Sequence, residues 1–154
     1  MNEFLIKNVR IVNPDSVIDG DILIKNGLIE DSGSNLSSPT AKVIEGNGKF
    51  AFPGFIDFHV HLQDKIGDYK IADSFAVGTQ VALQWGITTI GSFVTQTSTE
   101  TLSEAVAKAN AKVKGQLYTD LQWRLTPITF DNSSMNDIFK LIESGYSVFK
   151  FFTT

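Results

Sequence analysis

The sequence predicts an α/β fold in two parts, a small β module followed by repeated β-α-β units. Three observations carry this. Within residues 3–52, Asn26-Gly27 sits between two apolar runs, and no helical periodicity occurs there. After Pro53, short apolar runs alternate with stretches whose apolar residues recur every three to four positions. Gly86, Gly115 and Gly145 each follow one of those stretches, where helices commonly end.

In the front module, Phe4-Leu5-Ile6 and Val9-Arg10-Ile11-Val12 read as two strands separated by Lys7-Asn8 and closed by Asn13-Pro14-Asp15. Asp21 to Lys25 and Leu28 to Glu30 flank Asn26-Gly27. Both central positions of a type I′ turn need positive φ, which this dipeptide supplies, so a hairpin is expected. Ser32 to Thr40 is a polar loop. Val43-Ile44-Glu45 and Lys49 to Phe52 flank Gly46-Asn47-Gly48, a second hairpin candidate.

Phe55 to His61 reads as the first strand of the second part. A helix is expected from Asp73 to Trp85, then a strand over Thr88 to Val94. Thr99 to Lys114 is the clearest helix, with Leu102, Val106, Ala109 and Val113 on one side. Thr101 and Glu104 fit a capping box at its start. A third strand falls roughly over Leu117 to Leu125, a third helix over Ser133 to Ser144, and a fourth strand over Ser147 to Phe152. Strands and helices of this length in alternation imply parallel β-α-β units. An open doubly wound sheet and a (β/α)8 barrel both satisfy the pattern. No Gly-x-Gly-x-x-Gly follows the first strand, so dinucleotide binding is unsupported.

Composition narrows the function. The chain has 154 residues, enough for a sizeable core, and 42% are hydrophobic, a globular value. A net charge of −4 with no basic stripe argues against a nucleic-acid partner. There is no cysteine, so thiolate metal sites are excluded and a reducing, cytoplasmic setting is expected. No signal peptide and no apolar stretch of membrane-spanning length is evident.

The only two histidines, His59 and His61, lie in Pro53-Gly54-Phe55-Ile56-Asp57-Phe58-His59-Val60-His61. Two residues apart on a strand, their imidazoles share a face and can bind one cation. Asp57 falls two residues earlier, on the same face of a regular strand, as a ligand or as an orienting hydrogen-bond acceptor. Two histidines alone are equally compatible with no metal. A catalytic zinc site needs about three protein ligands, so the rest must be oxygen or an unusual group, or come from elsewhere.

Residues 53–61 resemble the first-strand signature of the metal-dependent amidohydrolase superfamily. The front module, with Ile6-Lys7-Asn8 and Gly20 to Ile29, resembles the β-sandwich that precedes the barrel in its cyclic amidohydrolase branch. Asp73-Ser74-Phe75, Gly78-Thr79, Ala82, Gly86 and Thr88-Thr89 are similar to the first helix and second strand of the hydantoinase and dihydropyrimidinase group. Gly145 to Phe152 is similar to its fourth strand. The resemblance implies residues 1–52 as half of a β-sandwich module. It implies residues 53–154 as the first half, about four strands, of a (β/α)8 barrel. It implies a hydrolase of cyclic amide C–N bonds acting through a hydroxide that bridges two divalent metals, zinc being the first expectation. His59 and His61 would ligate one metal. Lys150, carboxylated by CO₂, would bridge both. Its neighbours Phe149, Phe151 and Phe152 would desolvate it and favour the neutral amine that attacks CO₂. Without the resemblance, a snorkelling lysine is the plainer reading.

The family's further histidines, substrate-contacting tyrosine and catalytic aspartate would fall beyond Thr154. The chain is therefore expected to be the N-terminal portion of a longer protein, inactive and poorly soluble alone, and a homo-oligomer (tetramer or dimer) at full length. The substrate partner implied is a small cyclic amide or imide. Gln63 is a candidate substrate-binding residue. The resemblance implies an arginine there in dihydroorotases, commonly an acidic residue in hydantoinases and an amide in allantoinases. Gln63 therefore fits neither of the first two cleanly, and an uncharged amide anchors a carboxylate poorly. An allantoinase-like hydrolase, a non-catalytic scaffold of the same fold and a self-contained open-sheet binding domain are the alternatives. Trp85 and Trp123 are expected in a core or interface, and Asp64 and Asp68 in a solvated loop.

Overall fold

The computed structural model describes residues 3–66 and 68–152, and divides between Pro53 and Gly54 into two compact units. The first unit is a five-stranded sheet. Strand β1 (Glu3–Val12) is one strand, where two were expected. Lys7 and Asn8 do not end it. They form an irregularity between Ile6 and Val9, with Asn8 at φ 54°, and pairing with β2 (Val17–Lys25) resumes beyond it. Asn26 (φ 52°) and Gly27 (φ 80°) make the expected tight turn into β3 (Leu28–Gly33), which pairs antiparallel with β2.

The second hairpin does not form. Strands β4 (Lys42–Glu45) and β5 (Phe50–Ala51) both pair in parallel with β1. The reason lies in the loop between them. Gly46 and Gly48 donate their N–H groups to the carbonyls of Lys7 and Asn8, at 2.8 and 2.7 Å, so the loop is tied to the irregular part of β1. Asp21 holds that irregularity together. It is 3% exposed, accepts the backbone N–H groups of Asn8 and Leu36, and pairs with Lys7 at 3.0 Å. The Asn8 N–H first, and then Lys7, hold its carboxyl below the usual aspartate range.

The second unit is a three-stranded parallel sheet in the order β10-β9-β6, with β6 spanning Phe55–Val60, β9 Ile87–Thr95 and β10 Asp120–Thr126. Two-residue strands β7 (Lys65–Ile66) and β8 (Tyr69–Lys70) pair in the loop after β6. Helix α1 (Phe75–Gln84) is capped by Ser74. Helix α2 (Leu102–Val113) begins with the expected Thr101/Glu104 capping box, a feature worth about 1 kcal/mol. Helix α3 (Asn132–Glu143) is capped by Asp131, whose carboxyl the Ser134 backbone N–H draws below its usual range. Gly86, Gly115 and Gly145 all take positive φ just past these helices.

The helices cover one face of the sheet. Ile90 and Val94 of β9 and Trp123 and Leu125 of β10 pack there with Leu62, Phe75, Leu102, Val106, Ile138 and Leu141. Trp123 is 6% exposed, whereas Trp85 is 79% exposed and lies outside this core. The expected fourth strand shrinks to a single parallel bridge between Leu125 and Phe149. Two hydrogen bonds flank it, Leu125 N–H to the Val148 carbonyl and Lys150 N–H to the Leu125 carbonyl. Among the described residues no strand pairs with the outer side of this segment.

Candidate metal centre

The helix-free face of the second sheet gathers His59, His61 and Lys150. A bulge in β6 brings them there. Asp57 is in register with Ile90 and Val60 with Ser92, so Phe58 and His59 together oppose the single residue Gly91. Ile90 and Ser92 lie on the helix side, and so do Asp57 and Val60. Phe58 and His59 therefore turn to the opposite face, joined by His61. Gly91 is what permits this. A Cβ there would meet the backbone of Phe58 at 2.8 to 3.0 Å.

The bulge corrects one expectation. Asp57 does not share a face with the histidines. It lines a cavity against α1 with Val60, Leu62, Val77 and Ile90. Its carboxylate still serves the site indirectly, accepting the backbone N–H of His59 at 3.0 Å.

On the helix-free face the side chains meet around one phenyl ring. His61 stacks on Phe93 with centroids 4.5 Å apart, and His59 meets Phe93 edge-on at 4.9 Å. The imidazole centroids are 5.3 Å apart. The Lys150 Nζ lies 4.3 Å from the Phe93 centroid and 4.9 Å from that of Phe152. Phe149 instead packs toward the core, and Phe151 against Phe130, so only one of the three expected aromatic neighbours touches the amine. Arg124 completes the ring, its guanidinium 5.7 Å from Phe58 and 5.8 Å from Phe93.

Asp64 was expected in a solvated loop, but its carboxylate sits 2.6 Å from the His61 Nδ1. An ionised carboxylate only accepts, so Nδ1 carries the hydrogen, and in a neutral imidazole the lone pair is then on Nε2. That is how a metal-ligating histidine is commonly oriented. The i, i+3 spacing was the available signal, but it requires the chain to turn straight after His61. Gln63 makes that turn. It adopts a left-handed conformation (φ 49°), its N–H donates to the Asp73 carbonyl, and its own carbonyl accepts the Lys112 ammonium. Nothing ties the Gln63 side chain to the histidines. Replacing Asp64 with alanine is expected to weaken metal retention about 10- to 100-fold, read by competitive metal titration of the full chain. Unchanged affinity would dismiss the orienting role.

Among the described residues no three His, Cys, Asp or Glu side chains converge as a metal site. The donor chemistry nevertheless fits a divalent metal. Two imidazoles share a face, one is held with Nε2 free, and an amine capable of becoming an anionic oxygen donor sits over the same ring. Among the described residues no helix is long and apolar enough to cross a membrane.

No family model matches the chain. It is 32% identical over 150 residues to a D-hydantoinase of Rhizobium radiobacter, a match covering 97% of this chain and 33% of that protein. It is 39% identical over 90 residues to a dihydroorotase of Elusimicrobium minutum, covering 57% and 20% respectively. A solved structure of D-hydantoinase superposes with a TM-score of 0.88 at 32% identity, over 97% of this chain and 32% of that one. The chain thus spans about one third of the length of the hydantoinases it matches.

Proposed function

We propose that this chain, a homologue of the hydantoinases, dihydropyrimidinases and dihydroorotases of the cyclic amidohydrolase branch, supplies one wall of a two-metal centre that hydrolyses cyclic amides. One observation carries the reading: His59, His61 and Lys150 meet around Phe93 on the helix-free face. His59 and His61 would hold one divalent metal, zinc by preference for mixed nitrogen and oxygen donors. Lys150, as its carbamate, would join that metal to a second. Such metals polarise the amide carbonyl and activate water.

The chain's own residues have definite tasks in this scheme. Asp64 fixes the His61 ring with Nε2 outward. Asp57 and Gly91 hold the bulge that aims His59. Phe93 is the floor on which both imidazoles and the lysine rest, keeping water from beneath them. Two imidazoles and one carbamate are too few for two metals. We place the remaining ligands and the acid–base group outside the residues described, in a (β/α)8 barrel that extends this sheet. The first unit would then be half of a β-sandwich. Cytoplasmic residence and a homo-oligomeric full-length chain belong to the same proposal.

Water added across the ring C–N bond places OH on the carbonyl carbon and H on nitrogen, giving an N-carbamoyl amino acid from a hydantoin or dihydropyrimidine. The hydantoinase reading leads because the hydantoinase match spans 97% of this chain and the dihydroorotase match 57%, while Gln63 offers no cation for a substrate carboxylate. The full chain is expected to open dihydrouracil or hydantoin, to stop on chelation and to recover with zinc. Absence of ring opening by zinc-loaded full chain, with both substrates tested, would defeat the proposal.

A further inference from the structure

Thr126 is the last residue of β10 and is 1% exposed, yet its Oγ1 has no hydrogen-bond partner among the described residues. An unpaired buried hydroxyl is costly, and replacing it with a methyl group of the same shape is ordinarily neutral or stabilising. Its position points to what it awaits. Leu125 bridges Phe149 in parallel, and the Lys150 N–H donates to the Leu125 carbonyl at 2.8 Å. One residue further along both segments, Thr126 is the register partner of Lys150. Leu125 and Phe149 face the helices, so Thr126 and Lys150 both turn to the face that carries His59 and His61.

We propose that Thr126 is a positioning residue whose hydroxyl donates a hydrogen bond to the carboxylate oxygen of a carbamate on Lys150. This rests on the reading of Lys150 as carbamylated. The step balances simply. The ammonium loses a proton to solvent, and the neutral Nζ attacks CO₂ to form an N–C bond. One C=O electron pair moves onto oxygen, and the nitrogen releases a second proton. The product is an anion directed toward the side of the sheet where Thr126 lies. The bond would stabilise the anion and limit its rotation about the N–C bond, so that both oxygens face the histidine side.

The test is ¹³C NMR of the zinc-loaded full chain equilibrated with ¹³C-bicarbonate, reading the lysine carbamate carbon. Thr126→Val is expected to lower carbamate occupancy about tenfold at subsaturating CO₂, the effect of one hydrogen bond to a charged group. Thr126→Ser is expected to keep the signal. Thr119→Val, which removes the other buried hydroxyl without a partner among the described residues, is expected to leave it unchanged. Thr126→Val should also melt no lower than the parent in CO₂-free buffer. A parental carbamate signal matched in Thr126→Val would overturn the role of Thr126 and leave the carbamate reading standing. No carbamate signal in the parent would overturn that reading and this inference with it.

Discussion

Lys150→Arg is expected to abolish hydrolysis while leaving the fold intact. Arginine keeps the positive charge and can rest on Phe93 and Phe152 as the lysine does. It does not add CO₂ to give a bridging anion. The change therefore separates packing from chemistry. Losing one of two metals removes several kcal/mol of transition-state stabilisation, which corresponds to about 10³-fold in kcat/KM. Metal content should fall by one ion per chain, with the melting temperature little altered. Lys150→Ala, which opens space beside Phe93, is expected to recover part of the activity when a short carboxylate such as acetate is added. Full activity in Lys150→Arg would remove the carbamate from the proposal.

Gly91→Ala is expected to be strongly destabilising. Its Cβ would approach the Phe58 carbonyl oxygen, Cα and carbonyl carbon at 2.8, 2.9 and 3.0 Å. All three are backbone atoms within a paired strand, so no rotamer change relieves the contact. Relief requires β6 to move off β9 or the bulge to rearrange. Either change displaces His59. Overpacking of this kind costs about 2–3 kcal/mol, and metal retention should fall with stability. Gly33→Ala is the matched control. A Cβ at Gly33 meets nothing within 4 Å, and its effect is expected to stay within about 0.5 kcal/mol. Chemical denaturation of both variants checks this. An undestabilised Gly91→Ala with normal zinc content would show that the bulge does not aim His59.

Much of the second unit was legible because its signals are local. Helix α2 follows from the spacing of Leu102, Val106, Ala109 and Val113 and from the Thr101/Glu104 box. The glycines after each helix mark stops that depend only on φ. The Asn26-Gly27 turn is legible for the same reason. The failures share a different cause. Gly46-Asn47-Gly48 has the composition of a hairpin, but the carbonyls of Lys7 and Asn8, some forty positions earlier in the chain, claim its N–H groups. The last segment meets β10 at a single bridge, and apolar content alone could not set how it lies against that strand.

The candidate site divides along the same line. By itself the sequence offered His59 and His61 as candidate donors, and Lys150 only through the family resemblance. It also determined that two imidazoles on alternate strand positions share a face, because strand periodicity is a property of the backbone. Only the tertiary structure decided that Asp57 leaves that face, that Asp64 takes the His61 Nδ1, and that Phe93 is the surface on which the histidines and lysine meet. Each depends on where a second segment lies: β9 with its Gly91 against the bulge, the turn at Gln63, and β10 pairing with the Lys150 segment. Residue type and spacing specify which groups can do the chemistry. Which of them face one another depends on register between strands distant in sequence, and that is set by packing.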